Sequence, residues 1–74
     1  MNSLIGHKVE VRMTQGERIS QPAFTGKVTE VSGSMIKLSC CYLRYIGDGT
    51  DPTPVGEMWF NTNSHEFVSV QTKD

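Results

Sequence analysis

The sequence predicts an all-β fold, a small, strongly bent, five-stranded antiparallel barrel. Short segments alternate apolar and polar residues, turn-forming residues separate them, and no segment carries a helical repeat longer than one turn. At 74 residues the chain is expected to form one domain, residues 1–74, and it is too short for a doubly wound nucleotide-binding fold or an α/β barrel. Five strands in so short a chain favour closure, because closing the sheet protects its edges.

The first strand is predicted over Lys8–Met13, where the apolar residues fall on one face. Residues 14–17 then read as a turn in which Gly16 is free to take a positive φ. Residues 18–22 are polar and end in a proline, which indicates a lengthened loop or an edge.

The second strand, Phe24–Val31, requires an irregularity in its pairing. One face carries Phe24, Gly26 and Val28. Strict alternation would next bury Glu30, although Val31 is the apolar residue, so a bulge or bend is expected near Thr29–Glu30. Gly26 inside the strand suits a tight bend of a barrel.

The remaining elements follow from turns and apolar runs. Residues 32–34 predict a hairpin into a long third strand, Met35–Tyr45. One face of this strand carries Ile36, Leu38, Cys40 and Tyr42. Residues 47–54 form the main loop, Glu57–Asn61 the fourth strand, residues 61–65 a helical turn or tight loop, and Glu66–Gln71 the fifth strand.

Three segments resemble a known family of small barrels. Val9–Glu17 resembles an Sm-like first strand with its glycine turn, Phe24–Val28 the strand that follows, and Phe67–Val70 a closing strand. The chain therefore resembles the SH3-like barrels, most of all their Sm-like branch, and the resemblance implies a bent barrel and a habit of ring assembly. The family's RNA-binding motifs are not matched in residues 31–37 or 58–63, so no RNA-binding residue is carried over from it.

No pattern in the sequence indicates a catalytic or metal site, and no cofactor is expected. Cys40 and Cys41 are adjacent, so on a strand they point to opposite faces and cannot easily share a metal with His7 or His65. Asp48 and Asp51 offer too few oxygens for calcium. No nucleophile lies beside an obvious base, and only an active site built at a subunit interface stays open.

Absent segments bear on the location of the protein. The chain has no apolar run of the length that a membrane-spanning helix needs, and it begins without a signal-peptide pattern. Two adjacent cysteines make a poor disulfide framework. A cytoplasmic protein is therefore expected.

Apolar residues exceed what one small core can hold. The predicted core consists of Val9, Val11, Met13, Phe24, Val28, Val31, Ile36, Leu38, Cys40, Met58, Phe60, Val68 and Val70. Of the surplus, Leu43, Tyr45, Trp59 and Phe67 are predicted to form a protein-contact surface. They predict a non-enzymatic binding and assembly module that self-associates as a homo-oligomer or contacts another protein, unless they form a second small core under the 47–54 loop.

An alternative function rests on the opposite faces of the strands. The net charge of −1 argues against nucleic-acid binding by bulk electrostatics. The outward face nevertheless collects Lys8, Arg12, Lys27 and Lys37 against Glu10, with the hydroxyls of Thr25, Thr29 and Ser39 among them. Such a face could bind RNA or single-stranded DNA, with a base stacked on Trp59 or Tyr45, or it could simply be solvated.

Overall fold

A computed structural model of the protein describes residues 4–14, 16, 20–47, 49 and 51–73. These residues form five antiparallel strands in one sheet, which confirms the all-β prediction. The strands are β1 (Lys8–Met13), β2 (Gln21–Ser32), β3 (Met35–Ile46), β4 (Thr53–Asn61) and β5 (Phe67–Thr72), in the spatial order β4-β3-β2-β1-β5. In the described part of the chain, no helix is long and apolar enough to cross a membrane.

Two strands begin earlier than the sequence predicts, and each contains a proline as its second residue. β2 begins at Gln21, so the prediction of a loop over residues 18–22 is wrong for residues 21 and 22. Residues 18 and 19 lie outside the described residues, as do residues 15, 17, 48 and 50. Pro22 is tolerated because the β1–β2 ladder stops at Ala23, which leaves Pro22 a strand partner on the β3 side alone. Pro54 lies in β4, an edge strand, where a missing N–H costs little.

The sheet curls so that its two edge strands approach each other. Two successive turns join β4 to β5, because Ser64 N donates to the Asn61 carbonyl (3.0 Å) and Phe67 N to the Ser64 carbonyl (3.1 Å). Each turn holds its ends within about 7 Å, so the Asn61 and Phe67 Cα atoms lie within about 14 Å. In a flat sheet these outer strands would be about 19 Å apart. The described ladders do not join β4 to β5, so closure into a barrel stays a prediction.

A β-bulge in β3 reverses the predicted facing of two cysteines. Thr25 pairs with Tyr42 and Lys27 with Ser39, so Cys40 and Cys41 together oppose the single residue Gly26. Cys40 takes a φ of 52°, which is uncommon for a side chain other than glycine. The prediction that Cys40 lies in the core is therefore wrong, since Cys40 is exposed and Cys41 is buried.

Bulges in β2 and β5 also shape the sheet. In β2 the register shifts between Val28 and Glu30, which agrees with the expected irregularity and turns Val31 towards the core. In β5 the partners of Arg12 and Met13 are Ser69 and Phe67, so Val68 is the extra residue. Val68 is 52 % exposed, and its predicted place in the core is wrong for this reason.

One apolar core lies on the concave side of the curled sheet. Its buried members are Val9, Val11, Val28, Ile36, Leu38, Cys41 and Phe60. Packed against them, and partly buried, are Leu4, Met13, Phe24, Val31, Met58, Phe67 and Val70. Both edge strands contribute residues to this cluster, so the core can form only if the sheet curls.

We expect Gly26→Ala to destabilise the fold through sterics alone. A Cβ at position 26 would lie 3.0 Å from the Ser39 carbonyl oxygen and 3.2 Å from the Cys41 Cα, both backbone atoms that cannot move without disturbing the bulge. The expected loss is about 1–3 kcal/mol of unfolding free energy by urea denaturation. Gly33→Asn is the control, because position 33 is open and asparagine tolerates its positive φ, so its effect should stay within about 1 kcal/mol. Equal losses in the two variants would contradict the steric account.

Candidate functional sites: a cationic groove and an apolar groove

A groove of about 840 Å³ lies on the face of the sheet opposite the core. We call it the cationic groove; its lining residues are Lys8, Glu10, Thr25, Gly26, Lys27, Ser39, Cys40, Tyr42, Arg44, Pro52 and Lys73. Its volume falls within the range of about 300–1,000 Å³ that is typical of small-molecule sites.

The cross-strand register brings these side chains together. Lys8 is paired with Lys27 in one row, and in the next row Thr25 lies between Glu10 and Tyr42. The bulge at Cys40 is essential to this arrangement. Without the extra residue, strict alternation from Leu38 would turn Tyr42 towards the core and away from the groove.

A buried carboxylate forms the floor of the groove. Glu10 is only 2 % exposed, and its carboxylate accepts a hydrogen bond from Arg12 Nε (2.9 Å) and one from an Arg44 Nη atom (3.1 Å), with Lys73 Nζ at 3.8 Å. Burial alone would raise the pKa of Glu10. The Arg12 hydrogen bond and the charges of Lys73, Arg12 and Arg44 outweigh burial, so the pKa lies below its ordinary value. Glu10 is therefore ionised at neutral pH and holds both arginines in place.

Ala23 packs beneath this ion cluster rather than in the core. It is fully buried but does not belong to the core cluster, and the register places it between Arg12 and Arg44. The small side chain leaves room for the two long ones above it, whose aliphatic stems can then cover the sheet.

The predicted cationic residues separate into three environments. Lys8 and Lys27 line the cationic groove, and Arg12 is committed to Glu10. Lys37 lies elsewhere, with its Nζ 3.4 Å from a Glu57 carboxylate oxygen and 5.9 Å from the centre of the Trp59 ring. The four predicted residues therefore do not line one groove.

Two residues of the groove were missed by the sequence analysis. Arg44 follows the bulge, so no alternating pattern would have placed it on this face. Lys73 falls just after β5, where its backbone N–H donates to the Lys8 carbonyl at 2.8 Å. The only signal for Lys73 was its position two residues beyond Gln71, the strand partner of Glu10.

A second, smaller groove of about 290 Å³ opens on the core side. We call it the apolar groove; it is lined by Met13, Pro22, Phe24, Leu43, Tyr45, Met58, Trp59, Phe60 and Glu66. Its walls include β4 on one side and, on the other, the end of β1 and Glu66, the residue before β5, so it lies between the two edges of the sheet. The Phe24 and Phe60 rings, 5.0 Å apart between centroids and tilted by 56°, form part of this lining.

The predicted protein-contact residues lie in or beside the apolar groove. Leu43, Tyr45 and Trp59 line it, and Trp59 is 44 % exposed. Phe67 packs against the core, opposite Met13 in the register. In the part of the chain that the structure describes, the two grooves share no lining residue.

Comparison with known proteins returns no relative. No protein family, no curated protein and no solved structure matches the chain.

Among the described residues, no three His, Cys, Asp or Glu side chains come together in a way that could hold a metal ion. Asp48, which was considered as a cation ligand, lies outside the described residues.

We expect the two cysteines to differ sharply in reactivity. Burial raises the pKa of the Cys41 thiol to about 11, and a hydrogen bond with the Tyr42 backbone lowers this pKa by a smaller amount. Cys41 therefore stays a protonated, inaccessible thiol at mildly alkaline pH. Iodoacetamide should therefore modify Cys40 alone in the folded protein, as counted by intact mass. In Cys40→Ser, labelling should begin only after denaturation. Fast labelling of folded Cys40→Ser would contradict the buried position of Cys41.

Glu10 should make stability depend on pH in the acid range. Because its folded-state pKa lies below the ordinary value of 4.5, its stabilisation is present at neutral pH and is lost as the pH falls through the folded-state value. Glu10→Gln should lower the unfolding free energy by about 1–3 kcal/mol at neutral pH, with a difference that shrinks below pH 4.5.

The control for Glu10 is Glu57→Gln. Glu57 also pairs with a lysine, but its side chain is largely exposed, so we expect a change below about 1 kcal/mol. Urea denaturation of both variants across the acid range measures these differences. A Glu10→Gln protein that matches the parent at neutral pH would refute the role given to the buried carboxylate.

Proposed function

We propose that this domain is a non-enzymatic binding and assembly module that self-associates through its apolar groove and the adjoining β4 edge. The single observation that carries this proposal is the apolar groove itself, which leaves core-side residues accessible between the two sheet edges. Exposed aromatic side chains beside an unpaired strand are typical of contact surfaces. The occupant that we propose is a second copy of the chain.

The β4 edge supports this choice. β4 spans nine residues and pairs with β3 alone among the described strands, so its other edge offers unpaired backbone groups. Pro54 and Glu57 protect the first half of this edge, because a proline lacks an N–H and a charge resists burial. The second half, Met58–Asn61, has no such protection and contains Trp59, so the contact should centre on that indole.

β5 is the other open edge of the same sheet. It pairs with β1 alone among the described strands, and its bulged Val68 exposes an apolar side chain. Two open edges on one sheet allow head-to-tail as well as symmetric contacts between copies. Both kinds of contact would cover apolar surface that a monomer leaves in water.

The strand order and curl also support a family assignment as a proposal. Five antiparallel strands in the order β4-β3-β2-β1-β5, in a sheet that curls its edge strands towards each other, fit the SH3-like barrels and their Sm-like branch. A cytoplasmic location is proposed as well. It is supported by Cys40, an exposed free thiol that an oxidising compartment would not leave unmodified.

Self-association can be tested by replacing Trp59. Light scattering coupled to size-exclusion chromatography should give a mass above 8.2 kDa that rises with concentration for the parent chain. Trp59→Gln should raise the dissociation constant by about tenfold or more, since buried tryptophans at interface centres are worth about 2 kcal/mol or more.

Tyr42→Gln is the matched control for Trp59→Gln. Tyr42 is similarly exposed, at 46 % against 44 %, but it lies in the cationic groove, so its replacement should leave the mass unchanged. Thermal denaturation of each variant separates lost association from lost folding. A parent chain that stays at 8.2 kDa up to millimolar concentration would end the proposal.

A further inference from the structure

The cationic groove concentrates most of the positive charge of the chain. Five of the seven Lys and Arg residues converge on it; they are Lys8, Arg12, Lys27, Arg44 and Lys73. Among the described residues of the groove, Glu10 supplies the one carboxylate. A chain with a net charge of −1 thus carries a local excess of positive charge on one face of its sheet.

Glu10 does not offset all of this charge. Arg12 and Arg44 direct their guanidinium groups at Glu10, which offsets their charge. Lys27 makes no ion pair with any described residue, and it lies directly opposite Lys8 in the register. Two ammonium groups at directly opposed strand positions can both attract one anion that is held between them.

An aromatic surface lies one row away from the two lysines. Tyr42, which is 46 % exposed, is paired with Thr25, and Thr25 lies two residues from Lys27 on the same strand, or about 7 Å. The hydroxyl-bearing residues Thr25 and Ser39 line the groove in these two rows. The groove therefore offers an anion site and a stacking surface with polar groups between them.

We propose that the cationic groove binds a nucleoside phosphate, with the phosphate between Lys8 and Lys27 and the base stacked on Tyr42. The same chemistry is presented by a free nucleotide and by one nucleotide of a single strand. This inference goes beyond self-association, because it uses the opposite face of the sheet and none of the residues of the apolar groove.

The first test uses isothermal titration calorimetry of the parent chain at about 50 mM salt with three probes. These are adenosine monophosphate, inorganic phosphate and adenosine. The monophosphate should bind more tightly than either part, and it should slow the alkylation of Cys40, which lines the groove. If inorganic phosphate binds as tightly as the monophosphate, the base does not stack on Tyr42. If neither the monophosphate nor a short oligonucleotide binds, the proposed site is wrong.

Matched variants locate the site. Lys27→Gln should weaken binding by about tenfold, whereas Lys37→Gln, which removes the same charge beside Trp59, should not change it. Tyr42→Leu should weaken binding about fivefold or more, whereas Tyr45→Leu, in the apolar groove, should have no effect. Equal losses within either pair would show binding outside the groove and would overturn the proposal.

The source of the nucleotide is resolved by oligo(dA) of about eight nucleotides. Tighter binding than the monophosphate, with a slope of log affinity against log salt near −0.7 for the one neutralised phosphate, assigns the site to single strands. Affinity no greater than that of the monophosphate assigns it to a free nucleotide. Loss of the oligonucleotide affinity in Lys27→Gln, with the oligomeric mass unchanged, separates this site from the assembly surface.

Discussion

The β-bulge opposite Gly26 determines which half of β3 serves the core and which half serves the surface. Before the bulge, Ile36 and Leu38 point inward; after it, Cys41 and Leu43 take over that side, and Tyr42 and Arg44 turn outward. The absence of a side chain at position 26 makes the bulge possible, because the Ser39 carbonyl occupies the space of a Cβ. A backbone constraint at one glycine thus decides the composition of both grooves.

The ion cluster around Glu10 depends on that constraint. Arg44 can reach Glu10 only because the bulge directs it outward, and its guanidinium then shares the carboxylate with Arg12. Burying a carboxylate is costly unless it is paired and hydrogen-bonded, and here positive groups come from Arg12 in β1, Arg44 in β3 and Lys73 just after β5. The cluster therefore links three strands across the face that lacks an apolar core, and it orients two arginines at the edge of the groove.

A bulge can be predicted from the sequence only where the residues beside it differ in polarity. β1 alternates without interruption, so its bounds were predicted correctly, and the β2 bulge left a trace because Glu30 occupied the position that alternation would bury. The bulges at Cys40 and Val68 left none. Cys40 and Cys41 are equally apolar, so either one could face the core. In β5, Phe67 lies on one face and Val68 on the other, so both faces carry an apolar residue and either register satisfied the pattern.

The errors in the site follow from the same cause. Without the bulge at Cys40, strict alternation would place Arg44 on the core face, so the predicted cationic surface stopped at Lys37. The apolar groove was more accessible to sequence reasoning, because it depends on a surplus of large side chains rather than on their facing. Leu43, Tyr45 and Trp59 meet there although the facing of β3 was predicted incorrectly.

The separation of the two grooves has a consequence for any assembly of this chain. Copies that associate through the apolar groove would leave every cationic groove open, since the two sites share no lining residue. A single phosphate held by two lysines is a weak ligand at physiological salt, because exposed charges are screened within about 8 Å. Several grooves on one assembly would instead engage successive phosphates of the same strand, and the second contact would form at a high effective concentration. Self-association would therefore strengthen the binding of a polyanion without any new contact, whereas a free mononucleotide would gain nothing from it.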